Sequence, residues 1–373
     1  MNFIFFTRDK ISSTKDIENI KTSGKPVVVF FPTTDWFDLK QRPQHLARAF
    51  SETGSIVLFM TKNQTKDTVQ WIQKINDSFY LLENFYLADE FQNYTILITG
   101  PSNYPLLKQL KNYTFLVYDF PDELSFFPWI SENYIYNCHL KLLEKATLIT
   151  PSATFLEEVI QKDYPSRKTQ VLLNGVFPND FFIEPEEQLY IPDDMKTILK
   201  KWKKVIGFYW GLWEKRIDFS LIQYCFLNRS DYEFVFIWSG NIEYLRQKYN
   251  LFWDNIYFLW PKPYEMLKHY AKYFDVALIP FLLNDFTLWV SPVKSFEYMV
   301  QWIPFVSSGL PECKKYKNVL LWNSYKEFVE KIDEGISKRS DDHYRQSLRE
   351  EWKENSWFSR ASLIYKILEN GKN

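Results

Sequence analysis

The feature that most constrains the fold of this chain is a repeated alternation of short apolar runs with amphipathic segments. Runs such as K-P-V-V-V-F-F at 25–31 and D-V-A-L-I-P at 275–280 are rich in β-branched or aromatic residues. Continuous apolar strands between helices are typical of a parallel sheet covered on both faces. The alternation stops near residue 180 and restarts near residue 204. The sequence therefore predicts an α/β protein with two doubly wound parallel sheets.

The individual elements follow from the apolar patterns and from the turn residues between them. Strands are predicted at 25–31, 55–59, 95–99, 114–118, 148–151, 170–173, 204–209, 233–238, 255–259, 275–280 and 304–307. Helices are predicted at 131–145, 153–162, 217–227, 263–273, 292–300 and 325–336. Most of the tail from residue 341 is also predicted to be helical. The same kind of alternation in both halves predicts two domains of similar architecture.

The domain boundaries are predicted from the break in this alternation. Residues 1–180 are expected to form an N-terminal Rossmann-like domain, joined by a C-terminal helix at 356–373, and residues 204–355 a second domain. Residues 181–203 are rich in Pro, Glu, Asp and Lys, and are predicted to be a linker. Open parallel sheets bind ligands beyond the carboxyl ends of their strands. A cleft between two facing sheets is thus the predicted location of the functional site.

The composition argues against several classes of function. A formal net charge of −1 gives no general basic field for nucleic acid, so no nucleic-acid partner is expected. The three cysteines have no CxxC spacing, and the four histidines have no metal-ligand spacing. No apolar run is long enough for a membrane-spanning helix. We expect a cytoplasmic chain without a metal or other cofactor, and contact with the inner face of the membrane is a further option.

The most informative stretch, 275–308, combines an apolar strand, a polar loop and the start of a helix at Pro292. Proline suits the first helical turn, where its missing N–H would have no partner. Free N–H groups and the dipole at a helix N-terminus suit a diphosphate. Lys294 could add a positive charge, and Glu297 could accept hydrogen bonds from ribose hydroxyls. Residue type alone also allows a solvated lysine and an exposed helical acid.

This stretch resembles the donor segment of the GT-B glycosyltransferases of the large family four group. It is most similar to the branch of teichuronic-acid-type polysaccharide glycosyltransferases. The similarity lies in a P-x-K-x-x-E-like turn formed by Pro292, Lys294 and Glu297, with Tyr298 after it. In that family the glutamate contacts the donor ribose. The resemblance implies a GT-B fold, with two Rossmann-like domains facing a cleft and the donor in the second domain.

Two positions depart from the pattern of this family. Trp289 stands where the family has the first of two paired glutamates. Trp302 and Ile303 stand where it has a glycine before the strand at 304–307. These departures leave open a degenerate protein that only binds glycan or scaffolds an assembly.

A second block, at 36–50, resembles the W-x-x-x-x-QRPQ-x-LA signature of the same branch. The resemblance implies a loop that points into the cleft and brings Gln41, Arg42 and His45 to the acceptor or the sugar. Residue type alone leaves other interpretations open. Arg42 could instead pair locally, and His45 could pack on the helix surface.

Two further blocks resemble the family. Residues 116–127 are similar to its Y-D-x-x-D segment, so Asp119 and Asp122 are expected to bind acceptor hydroxyls or to assist their deprotonation. Turn formation is the alternative for both, because aspartate favours loops. Residues 207–218 are similar to the opening of the donor domain. Lys215 or Arg216 is therefore expected to contact the donor diphosphate.

Taken together, the resemblance implies a metal-independent, hexosyltransferase-like enzyme. It would move a sugar from a nucleotide diphosphate donor to a glycan or lipid-linked acceptor in cell-surface polysaccharide or glycoconjugate synthesis. Retention of the anomeric configuration follows from the family alone. Two alternatives stay open, a GT-B-fold sugar-nucleotide epimerase and the degenerate binding or scaffold protein.

Overall fold

The computed structural model describes residues 14–122, 124, 130–184, 187, 190–209, 211, 213–238 and 240–371. The chain divides into two compact units, one formed by Met1–Leu173 with Trp357–Asn373 and the other by Asn174–Ser356. The second unit therefore begins at Asn174 and includes the range 181–203, which the sequence predicts as a linker. Part of that range is helical, so these residues contribute regular structure to the second unit.

The first unit contains a seven-stranded sheet in the order β3-β4-β2-β1-β5-β6-β7. All neighbouring strands are parallel except β3, which pairs antiparallel with β4. β2 and β5 are buried along their whole length, as expected for strands covered on both faces. The strands are β1 (Val27–Phe30), β2 (Ile56–Met60), β3 (Ile72–Asn76), β4 (Phe79–Leu82), β5 (Tyr94–Ile98), β6 (Tyr113–Phe120) and β7 (Leu148–Pro151).

Three of the following four helices of the first unit lie between these strands in the chain, and the fourth follows β7. They are α1 (Arg42–Glu52), α2 (Tyr104–Leu107), α3 (Glu132–Lys145) and α4 (Thr154–Asp163). α1 has a proline in its first turn and buries Leu46, Ala49 and Phe50. These three residues have the spacing of one helical face, which explains why α1 packs on the sheet.

The second unit contains a six-stranded parallel sheet in the order β10-β9-β8-β11-β12-β13. This order is that of a doubly wound Rossmann sheet, with its reversal between β8 and β11. The strands are β8 (Lys204–Tyr209), β9 (Tyr232–Ile237), β10 (Ile256–Leu259), β11 (Val276–Ile279), β12 (Phe305–Ser308) and β13 (Leu320–Trp322).

The helices of the second unit alternate with these strands, and a final helix returns the chain to the first unit. Those of the second unit are α5 (Pro178–Phe181), α6 (Asp193–Leu199), α7 (Phe219–Asn228), α8 (Ile242–Tyr249), α9 (Leu267–Ala271), α10 (Val293–Val300), α11 (Tyr325–Lys338) and α12 (Asp342–Glu354). The final helix, α13 (Trp357–Asn370), packs against α1 and buries Trp357, Ala361, Ile364 and Leu368.

The predicted fold class is confirmed, and the differences from the predicted elements are local. The strand predicted at 170–173 is wrong. This segment lies beside β7, where Gln170 N donates to Ile149 O at 3.0 Å and Leu172 N donates to Pro151 O at 2.8 Å, but it forms no regular strand. The sequence patterns also missed the β3–β4 hairpin and the short β13.

Candidate functional site

The second sheet reverses its order between β8 and β11, and sheets of this kind bind ligands beyond the carboxyl ends of such strands. Main-chain hydrogen bonds join the loops that follow the two strands. Asp218 N donates to Pro280 O at 2.9 Å, and Leu282 N donates to Arg216 O at 2.8 Å. The two loops therefore form one continuous surface, which we call the switch-point surface.

Helix α10 starts beside this surface, with Pro292 as its N-cap residue. Pro292 is extended (φ −69°, ψ 109°), and no side chain of the described residues caps the helix. The first amides of an uncapped helix need solvent or a ligand as hydrogen-bond acceptors. An apolar pocket lies at the same place, lined by Phe208, Ile279, Phe281, Val290, Pro292 and Lys294.

Lys294 and Glu297 form an ion pair across the first turn of α10. Nζ of Lys294 lies 3.2 Å from Oε1 and 3.0 Å from Oε2 of Glu297. Glu297 is only 2% exposed, and the side chain of Lys294 is 12% exposed. The alternatives of a solvated lysine and an exposed helical acid therefore do not describe these side chains. A carboxylate buried to this degree requires a cation or several donors close by.

Tyr209, the last residue of β8, lies against this pair. Its ring centre is 4.9 Å from Nζ of Lys294. Burial and the neighbouring charge of Glu297 raise the pKa of Tyr209, so its hydroxyl stays protonated. In the described part of the chain, the Tyr209 hydroxyl has no hydrogen-bond partner of ordinary geometry, whereas Oε2 of Glu297 lies 3.0 Å from the ammonium of Lys294. A carboxylate oxygen can accept more than one hydrogen bond, so both groups are suited to the hydroxyl groups of a ligand.

Lys215 and Arg216 both lie on the loop after β8, but their side chains differ in exposure. Lys215 is exposed, and its Nζ is 4.6 Å from the centre of the Phe286 ring. Arg216 is buried, and its guanidinium carbon is 5.3 Å from the centre of the Trp213 ring. The structure thus places both predicted diphosphate ligands on the switch-point surface and leaves both as candidates.

In the first unit, two buried carboxylates fix the loop that carries the tryptophan of the 36–50 signature. The carboxylate of Asp35 accepts hydrogen bonds from the amides of 64–67 at 2.7–3.2 Å. Burial raises the pKa of Asp35, but these hydrogen bonds outweigh it and hold the pKa well below its usual range. Asp67 accepts from the amides of Trp36 at 2.6 Å and Phe37 at 2.9 Å. The two loops are therefore held together.

Arg42 and Asp119, both predicted to face the acceptor, bind each other instead. Nε of Arg42 lies 2.9 Å from Oδ2 of Asp119, and Nη2 lies 2.8 Å from Oδ1. Nη2 also donates to Leu172 O at 2.7 Å, and Thr150 Oγ1 donates to Asp119 Oδ1 at 2.9 Å. Asp119 is 0% exposed. A carboxylate with no exposed surface has no access to an acceptor hydroxyl, so the geometry favours a positioning role for both residues.

His45 and Asp122 have different surroundings. The ring of His45 is buried and stacks on Trp357 of α13, with ring centres 5.3 Å apart. This contact favours the interpretation in which the His45 side chain packs against its neighbours over the one in which it contacts the acceptor or the sugar. Asp122 lies two residues beyond β6 and is half-buried. Of the four predicted acceptor-side residues, Asp122 has the most exposed side chain.

Sequence reasoning missed several residues of these sites. The signal for Tyr209 was present, because it ends a strand inside a block already identified at 207–218. Asp35 and Asp67 each follow a strand of the first sheet, but nothing in the pattern shows that each binds the amides of the other's loop. Contacts of this kind follow from the tertiary fold alone.

Two features are absent from the described residues. No group of three or more His, Cys, Asp or Glu side chains is arranged to hold a metal ion there. In the same part of the chain, no helix has the length and apolar character needed to cross a membrane.

No protein-family model matches the chain. A Bacillus subtilis (strain 168) protein named as a teichuronic acid biosynthesis glycosyltransferase, TuaH, is 21% identical over 345 residues, which cover 84% of this chain and 84% of that protein.

Solved structures of several sugar-transferring enzymes are similar to this chain. Sucrose-phosphate synthase from Thermosynechococcus elongatus has a TM-score of 0.70 and 14% identity, covering 93% of this chain and 98% of that one. Anabaena HepE in complex with UDP-glucose has a TM-score of 0.67 and 11% identity, and the match covers 92% of this chain and 99% of that one. Escherichia coli trehalose-6-phosphate synthase bound with UDP-2-fluoro glucose has a TM-score of 0.66 and 12% identity, covering 91% and 98%.

These similarities bear on two predictions made from the sequence. The likeness to solved structures confirms the GT-B fold. The distant relative confirms the resemblance to teichuronic-acid-type enzymes. This chain is a glycosyltransferase of GT-B fold.

Proposed function

We propose that this glycosyltransferase moves a sugar from a nucleotide diphosphate donor to a glycan or lipid-linked acceptor in the synthesis of a surface polysaccharide or glycoconjugate. The observation that carries the proposal is the buried Lys294–Glu297 pair at the start of α10. The names of the relatives support it, since two are bound to UDP-sugars and one is named for teichuronic acid synthesis. A cytoplasmic position with contact at the inner membrane face suits a lipid-linked acceptor.

In the proposed donor site, Glu297 accepts hydrogen bonds from the ribose hydroxyls of the nucleotide. The carboxylate is paired with Lys294 at 3.0 Å, and its oxygens can accept further hydrogen bonds, so Glu297 is suited to this role. Pro292 leaves the first amides of α10 uncapped, and these amides with the ammonium of Lys294 bind the diphosphate. Lys215 or Arg216 adds a second positive charge from the loop after β8.

The proposed reaction breaks the bond between the anomeric carbon and the diphosphate oxygen, and forms a bond from that carbon to the acceptor oxygen. The acceptor proton passes to the departing phosphate, so no strong protein base is required. Cationic side chains and the dipole of α10 stabilise the charge that develops on the diphosphate. Asp122 and His45 stand on the proposed acceptor side, where Arg42 and Asp119 hold the loops in place. Retention of configuration is proposed from the family resemblance.

The test replaces Glu297 and measures nucleotide affinity by calorimetry, with UDP, GDP, TDP and CMP as probes. Each hydrogen bond to a charged group contributes about 1.5–3 kcal/mol. Loss of the ribose contacts in Glu297→Ala should therefore weaken the preferred nucleotide by about tenfold or more. Glu297→Gln keeps the shape of the side chain and should lose less affinity, since its amide oxygen can still accept one hydrogen bond.

The matched control is Glu233→Gln, which removes another buried carboxylate paired with lysines, at the amino end of β9. β9 is parallel to β8, so Glu233 lies at the sheet edge opposite the switch-point surface. This variant should bind nucleotide as the unaltered protein does. Equal nucleotide affinity in Glu297→Ala and the unaltered protein would contradict the donor-site assignment.

A degenerate glycan-binding or scaffold protein is the second candidate, and the position of Trp289 favours it. The indole of Trp289 donates to the Asp285 carbonyl oxygen, so an aromatic ring stands where the family has a carboxylate. A thermal-shift screen with the same nucleotides separates the two candidates. Stabilisation by at least one nucleotide is expected for the enzyme, and no stabilisation by any of them would favour the scaffold.

A further inference from the structure

The segment Lys-Lys-Trp-Lys-Lys at 200–204 runs from the end of α6 to the first residue of β8. All five residues are exposed, and Trp202 is 94% exposed. Tryptophan is strongly buried on average in soluble proteins, because its large apolar surface is unfavourable in water. An almost fully solvated tryptophan between four lysines therefore indicates a contact outside the described chain.

The backbone at Trp202 strengthens this interpretation. Trp202 has a φ of 56°, in the left-handed region that bulky side chains rarely adopt. Its amide donates to Leu199 O at 3.2 Å and closes the last turn of α6. Glycine or asparagine usually occupies this kind of helix end. The local fold thus favours glycine here, and neither packing nor backbone conformation accounts for the tryptophan side chain.

Two more exposed aromatic residues, Phe252 and Trp253, lie on the loop before β10. Nζ of Lys201 donates to Asp254 O at 3.0 Å, so this loop lies beside the 200–204 segment. We call residues 200–204 with 252–254 the Trp202 surface. Both parts precede parallel strands of one sheet, so the Trp202 surface lies at the amino edge. The switch-point surface lies at the opposite edge.

The charge on the Trp202 surface is positive. Lys201 and Lys203 share the carboxylate of Glu233, at 3.2 and 3.4 Å, and Glu233 is fully buried behind them. Lys204 pairs with Asp275 at 2.8 Å. Lysines 200, 201, 203 and 204 give four positive charges, and Glu233, Asp275 and the exposed Asp254 give three negative charges. The net charge is +1, and the fully buried carboxylate of Glu233 is not presented to solvent.

We propose that the Trp202 surface docks on an anionic lipid bilayer. Exposed aromatic rings with an apolar body and a polar edge are typical of the membrane interface, where lysines contact headgroup phosphates. The exposed rings belong to two separate loops, which favours a planar surface over a single polymer strand. Docking at the amino edge leaves the donor site at the carboxyl edge accessible. This inference assigns a surface to the membrane contact named in the proposed function, and it does not depend on the proposed transfer reaction.

The test is co-sedimentation of the full chain with vesicles of phosphatidylcholine, with and without phosphatidylglycerol. Trp202→Gly removes the ring and relieves the left-handed backbone, so its thermal midpoint should equal or exceed that of the unaltered protein. Its partitioning to phosphatidylglycerol vesicles should fall by about tenfold, as expected from burial of one aromatic side chain. Lys200→Glu changes the charge of the surface by two units and should reduce partitioning to phosphatidylglycerol vesicles by about thirtyfold at low salt.

The matched control is Trp260→Ala, because Trp260 is 77% exposed but follows β10 at the opposite edge of the sheet. This variant should partition as the unaltered protein does. The proposal is overturned if the unaltered protein does not sediment with anionic vesicles, if it binds neutral vesicles equally, or if Trp202→Gly binds them unchanged. The proposal is also overturned if the protein binds polygalacturonate through Trp202 but does not bind vesicles, because the Trp202 surface would then be a glycan-binding surface.

Discussion

Removal of either partner of the buried Arg42–Asp119 pair should strongly destabilise the first unit. In Arg42→Met, Asp119 would keep the hydroxyl of Thr150 as its donor among the described side chains. Loss of one partner of a buried pair costs about 3–5 kcal/mol. The carbonyl oxygen of Leu172 also loses its donor, which adds about 1 kcal/mol. We therefore expect the free energy of unfolding to fall by about 4 kcal/mol or more.

The assay is urea unfolding followed by far-UV circular dichroism. With a slope of about 2 kcal/mol per molar urea, the midpoint of the first unit should fall by about 2 M. Asp119→Asn should also lose several kcal/mol, because it leaves the guanidinium buried without a carboxylate. The double variant should lose less than the sum of the two, since neither charge then remains unpaired.

The matched control is the Arg48–Glu52 pair on the same helix, α1. Its Nε–Oε1 distance is 2.6 Å, and both side chains are partly solvated. Arg48→Met should therefore cost less than about 1 kcal/mol. Losses equally small in Arg42→Met, or strictly additive losses in the double variant, would refute the positioning role. Direct contact of Arg42 and Asp119 with an acceptor would then be the better explanation.

Two further predictions concern packing and pH. Gly207→Ala should destabilise the second unit by about 1–3 kcal/mol in urea unfolding, because its Cβ would lie 2.2–2.3 Å from ring atoms of Phe274. A loss below about 0.5 kcal/mol would contradict this prediction, since it would mean that the Phe274 ring can move aside at little cost. Burial lowers the pKa of His139 from 6.5 to about 4. Between these values the unfolded chain binds a proton that the folded chain does not, so stability should fall as the pH falls through this window, by about 3 kcal/mol in total. His139→Gln should lack that part of the pH dependence, and an unchanged slope in this variant would contradict the assignment.

The fold was predictable from the sequence where strands are buried on both faces. The strands at 148–151 and 204–209 have the predicted bounds, since parallel strands in a covered sheet are continuous apolar runs. β3 has the sequence I-Q-K-I-N, is mostly exposed at the sheet edge, and gives no such run. The segment 170–173 is apolar enough for a strand, yet only two of its amides bond to β7.

The candidate site was predictable in position but not in contacts. The proline and the spacing of Lys294 and Glu297 locate the start of α10 at the carboxyl edge of the second sheet. Their burial depends on Tyr209 and on the packing of β8, which the local sequence does not contain. Arg42 and Asp119 are 77 positions apart, so no spacing rule could pair them. The sequence predicted ligand-facing roles for Arg42 and Asp119, whereas the structure pairs their buried side chains with each other.

The return of α13 to the first unit has a consequence for the order of folding during synthesis. The core of the first unit includes Trp357 and Leu368, and Arg360 Nε donates to Leu173 O at 3.1 Å. The second unit is one uninterrupted stretch, 174–356. On the ribosome, the second unit therefore becomes complete before the first. The first unit stays without part of its core until Trp357–Asn370 emerges, and during that interval its incomplete core is exposed to chaperones and proteases.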